Sequence, residues 1–67
     1  MRTDVGGLWL VIYMTHDPQA LESAERMLAD EGFLVRRRVV SGAGAYELCV
    51  LESEAQEARQ LIMEKGF

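Results

Sequence analysis

Cysteine, proline, tryptophan, lysine and histidine each occur once in these 67 residues. One cysteine, Cys49, excludes an internal disulfide, and sparse thiols suit a reducing compartment. One histidine, His16, leaves a general base without an evident partner and a metal site without paired ligand spacing. No long hydrophobic run is present. The longest, Leu8 to Met14, has seven residues, whereas a membrane-crossing helix needs about 20. No small-residue cleavage site closes that run, so it reads as a buried strand and not as a signal peptide. The expected compartment is the cytoplasm, and no membrane partner is expected. Positive charge is also scarce. The net charge of −4 argues against nucleic-acid binding, which depends on cationic neutralisation of phosphate.

The chain does have a globular balance, with 49% hydrophobic and 27% charged residues. Its length allows one domain with a single small core. Residues 1–7 read as an N-terminal extension and residues 8–67 as the domain.

Leu8 to Met14 is rich in β-branched and aromatic residues and is apolar on both faces, as a strand. Asp17-Pro18 starts a helix: Asp17 can cap free amides, and Pro18 suits the first helical position. Ala20, Leu21, Ala24, Met27 and Leu28 then recur at helical spacing. Gly32 suits a left-handed stop, with Phe33 folding back on Leu28. Phe33 to Val40 reads as a second strand. Ser41-Gly42-Ala43-Gly44 is a hairpin turn, and Ala45 to Leu51 a third strand. The turn sets Val40 opposite Ala45, Arg38 opposite Glu47 and Val35 opposite Val50. Val35 and Val39 then share a face with Tyr46 and Leu48, and Arg36, Arg38, Glu47 and Cys49 share the other. Ser53 to Gln56 has capping-box form, with Ser53 as the expected cap. The last helix buries Ala55, Ala58, Leu61 and Ile62 and stops at Gly66-Phe67.

A weak repeat underlies this order. Shifted by 34 positions, Ala24 meets Ala58, Met27 meets Leu61, Leu28 meets Ile62, and Gly32-Phe33 meets Gly66-Phe67. Two βα halves of a ferredoxin-like split βαβ fold explain it. The predicted fold is α+β, a truncated ferredoxin-like β-α-β-β-α. Its three-stranded sheet has order 1-3-2, with two helices on one face.

The first strand, Asp17-Pro18, Ala20-Leu21-Glu22, Leu28, Glu31-Gly32-Phe33 and the stretch Tyr46 to Ala58 together resemble a family of short prokaryotic proteins described as signal-transducing. The resemblance spans about Leu8 to Ile62. It implies half of a PII-like or ferredoxin-like fold and a regulatory role, and it carries over no catalytic residue. The long regulatory loop of PII proteins is here only Ser41 to Gly44, which argues against PII-style nucleotide sensing. Some similar short proteins bear the label glutamate decarboxylase. A pyridoxal-phosphate decarboxylase holds its cofactor on a lysine beside ring and phosphate partners. The only lysine, Lys65, falls in the last turn of the final helix. No cofactor, no metal and no catalytic residue are therefore expected, and the protein is read as a non-enzyme.

Two features remain. Arg36-Arg37-Arg38 gathers three of the seven basic residues. Edge protection against aggregation accounts for them most simply, with Arg38 pairing Glu47 and Arg37 snorkelling from the helix side. Alternatively, Arg36 and Arg38, steadied by Glu47, form an anion or acidic-partner site. The first strand is the other. By alternation it leaves either Leu8, Leu10 and Ile12, or Trp9, Val11 and Tyr13, uncovered. Trp9, Leu10, Val11, Ile12 and Tyr13 are thus candidate interface residues, and a homodimer is the expected assembly, with a further protein partner possible in principle. The predicted function is a regulatory or protein-interaction domain acting through its open sheet face and first-strand edge. The alternative is a small-anion or nucleotide sensor.

Overall fold

The computed structural model describes residues 8–67, and the extension expected over residues 1–7 lies outside the described residues. Strand β1 (Trp9–Thr15) is followed by helix α1 (Pro18–Asp30), strands β2 (Val35–Val40) and β3 (Ala45–Leu51), a 3-10 turn (Glu52–Glu54) and helix α2 (Ala55–Glu64). The strands form one antiparallel sheet in the order β1-β3-β2. This is the α+β arrangement and strand order that the sequence predicts.

Local chemistry explains most of these boundaries. Asp17 is extended and accepts a 3.0 Å hydrogen bond from the Gln19 amide, with Pro18 at the first helical position. At the other end of α1, Gly32 takes a φ of 96°, which disfavours a side chain. The Gly32 and Phe33 amides donate to the Ala29 and Leu28 carbonyls at 3.0 and 3.1 Å, a Schellman stop. The end of α2 repeats it 34 residues on: Gly66 has a φ of 84°, and the Gly66 and Phe67 amides donate to Met63 and Ile62. The repeat read from the sequence is therefore a repeat of helix termination and of the buried face, since Ala24, Leu28, Ala58 and Ile62 are all buried.

The start of α2 departs from expectation. Ser53 does not cap it. The chain leaves its extended path at Leu51 and turns through the 3-10 segment, so Ser53 already lies on helical backbone. A cap residue needs an extended backbone to aim its oxygen at the free amides. Glu54 takes the cap position instead, without a side-chain hydrogen bond.

One buried cluster holds the layers together: Leu21, Ala24 and Leu28 of α1, Leu48 and Val50 of β3, and Ala55, Ala58 and Ile62 of α2. Each fully buried leucine contributes roughly 1.5–3 kcal/mol. Leu61, expected on the buried face of α2, is only half-buried and stands outside this cluster.

The β2–β3 register is the predicted one, with Val40 opposite Ala45, Arg38 opposite Glu47 and Val35 opposite Val50. Val39 shares the helix side with Tyr46 but is 68% exposed. Along β1 the register slips: Val11 lies opposite Cys49 but Tyr13 lies opposite Leu48. Ile12 is the extra residue of a β-bulge.

Candidate functional site

The bulge decides what each face of the sheet presents. Leu48 and Val50 point to the helices, so their β1 partners Tyr13 and Leu10 do too. Ile12 also packs against the core. Neither alternation expected for β1 is therefore realised. Leu10, Ile12 and Tyr13 are inward residues, and the outward row is Trp9, Val11 and Met14. Of the five interface candidates, only Trp9 and Val11 lie on the open face, and Met14 joins them at 56% exposure. Inward, Tyr13 meets the ring of Phe67 edge-on at 5.9 Å.

The open face is built of cross-strand rows. Met14, Glu47 and Arg38 form one, and Val11, Cys49 and Arg36 the next, with Trp9 opposite Leu51 beyond. Arg36 leaves β2 and its guanidinium carbon stops 4.5 Å from the centre of the Trp9 ring on β1. This is cation–π distance, and the arm must cross β3 to reach it. Cys49 lies on that crossed stretch. It is only 1% exposed although no helix among the described residues covers this face. Sequence reasoning missed the pair. The signal was available: the order 1-3-2 sets the first and second strands one strand apart, within reach of an arginine.

Arg38 lies beside Glu47, Nε to Oε1 at 3.5 Å, as the register requires. That carboxylate oxygen is buried and has no hydrogen-bond partner, so the arginine's charge is its compensation. Arg37 points the other way, onto α1. Its Nε donates to Glu25 Oε1 at 3.2 Å, and its terminal nitrogen pairs with the same oxygen. The hydrogen bond and charge of Glu25 push the arginine's pKa above its ordinary value. The structure thus divides the three arginines into one stacked, one braced to α1 and one paired across strands.

The other candidates are dispersed. His16 is exposed in the turn after β1, and Lys65 is exposed at the end of α2. Among the described residues no three His, Cys, Asp or Glu side chains gather as metal ligands would. Surface depressions line the outer sides of the helices, as at Gln19, Glu22, Ser23 and Arg26, or at Glu31, Glu57, Leu61 and Glu64. No helix among the described residues is long and apolar enough to cross a membrane.

Comparison with family models, curated proteins and solved structures finds no match to this chain.

Proposed function

We propose that this domain is a non-enzymatic regulatory or protein-interaction module of the cytoplasm, working through the open face of its sheet and the edge of β1. One observation supports this above the others: both helices occupy one side, and the other side presents Trp9, Val11 and Met14 beside Arg36 and Arg38. Glu47 is the single carboxylate within the strand rows of that face. The other carboxylates of the described residues lie on the helices, at the ends of α1 or in the turn before α2, so negative charge is set apart from this face. A strip that is apolar on one strand and cationic on another suits a partner segment carrying both acidic and apolar side chains. A regulatory role is also what the resemblance read from the sequence implies.

Anion sensing is the second reading. Among the described residues Arg36 makes no ion pair with a carboxylate, and a guanidinium fork suits a phosphate or carboxylate. Both readings are tested by changing Arg36 and Arg38 to serine together. The double variant is expected to keep its fold by circular dichroism and to lose the proteins that the wild type retains from host lysate. If phosphometabolites raise the melting temperature of the wild type alone, the anion reading displaces the first. A folded double variant that retains every wild-type partner refutes both.

A further inference from the structure

We infer that two copies of this chain join along β1, edge to edge about a two-fold axis, into one six-stranded sheet of order 2-3-1-1-3-2. The inference rests on the β1-edge part of the reading above and does not need the open face to bind anything.

The chain's own repeat says what belongs beside β1. In the first half, the Schellman stop of α1 turns the chain into β2, which pairs antiparallel with β3. In the second half, the same stop brings Phe67 against Tyr13 of β1. By this pseudo-symmetry the strand that belongs on β1 is antiparallel to it. Among the described residues β1 pairs only with β3, and its other side pairs with no strand. A two-fold copy of β1 is antiparallel by construction.

Backbone geometry agrees. The Glu52 amide donates to the Leu8 carbonyl at 2.9 Å, so Leu8 directs its polar groups toward β3. In an antiparallel ladder that direction alternates, which turns the N–H and C=O of Trp9 and Val11 outward, away from β3. These are the groups a further strand would engage.

Charge selects the partner. From Leu8 to Met14 there is no charged side chain, so β1 can face a copy of itself without conflict. The opposite edge cannot, because β2 would set its arginines against their copies. The outer sides of the helices are acidic and equally self-repelling. On α2, Met63 is 77% exposed, and Phe67, whose ring meets Tyr13 of β1, is 39% exposed. Both would be covered as α2 approaches its copy. One short strand pair is a small interface, so the dimer is a weak one that forms at high concentration and dissociates on dilution.

The test combines sedimentation velocity on a dilution series, from hundreds of micromolar downward, with amide hydrogen exchange followed by NMR at both ends of the series. The expected result is a mass that doubles with concentration while the Trp9 and Val11 amides become at least about tenfold slower to exchange. Val11→Lys should hold the mass at one chain, and Val39→Lys on the β2 edge should leave the dimer intact, both checked for native fold by circular dichroism. One chain's mass at every concentration overturns the inference, and so does protection of those amides in a monomer. A dimer in which both amides still exchange freely also overturns it, while leaving recognition by the open face standing.

Discussion

Leu48 and Cys49 are neighbours on the central strand, and both are shut off from water, but by different means. Leu48 faces two helices and belongs to the buried cluster. Cys49 faces a side with no helix, flanked by Val11 and Arg36 and crossed by the Arg36 arm on its way to Trp9. One burial is made by secondary structure, whose packing is cooperative. The other lies beside side chains of its own face, the Arg36 arm and Trp9 among them, which can swing away without unfolding anything. Burial alone therefore does not separate the structural face of this sheet from the face available for recognition. What covers a residue separates them.

The contrast can be broken most forcefully on the helix side. Leu48→Ala should cost about 2–5 kcal/mol. A core this small supplies only about 3–5 kcal/mol, so the variant should be largely unfolded at room temperature in a thermal melt followed by circular dichroism. If it melted like the wild type, the two burials would be equivalent and the distinction would collapse.

Trp9→Ala probes the other side and should do less to stability and more to chemistry. We expect a fold that persists, with a loss of about 1–3 kcal/mol, and a Cys49 thiol that reacts with a disulfide reagent under native conditions. Arg36→Met is gentler still. It keeps the length of the arm but removes its charge, so about 0.5–1 kcal/mol of cation–π attraction should disappear while the thiol stays protected. A native-state thiol titration of the two variants side by side reads this difference directly.

The smallest effects belong to the ion pairs. A double-mutant cycle between Arg38 and Glu47 should give a coupling of about 0–1 kcal/mol that shrinks with added salt, and one between Arg37 and Glu25 should weaken with salt in the same way. Urea midpoints of the four single and two double variants measure it. For the second pair the sign with pH is fixed. Glu25 raises the pKa of Arg37, so the arginine's contribution is complete below its ordinary pKa. It fades only as pH rises through the raised value, far above neutrality.

How much of this could be read beforehand varies along the chain, for physical reasons. The α1 cap, both helix stops and the β2–β3 register follow from residues whose geometry leaves little choice: Asp17-Pro18, Gly32, Gly66 and the four-residue turn. The phase of β1 was hidden because its residues are apolar on both faces, so no polar side chain marks which way any of them points. Ser53 had the right neighbours for a cap, but the 3-10 turn moved the start of the helical path ahead of it. The candidate site was legible in part. Arg38 beside Glu47 follows from the register, but Arg36 on Trp9 spans an intervening strand, so it follows only when the sheet order is combined with the reach of an arginine.

The extra residue at Ile12 acts on β1 as a half-period delay acts on a wave. Before it, every second side chain from Trp9 looks outward. After it, the outward set resumes at Met14 instead of Tyr13. The two ends of one strand are thus in opposite phase, and the bulge turns the large aromatic Tyr13 inward to Phe67 while leaving a flexible methionine at the surface. The same residues paired without the bulge would keep the same elements in the same order. They would nonetheless exchange a thioether for a phenol on the exposed side, so the surface chemistry of this sheet is set by register as much as by residue identity.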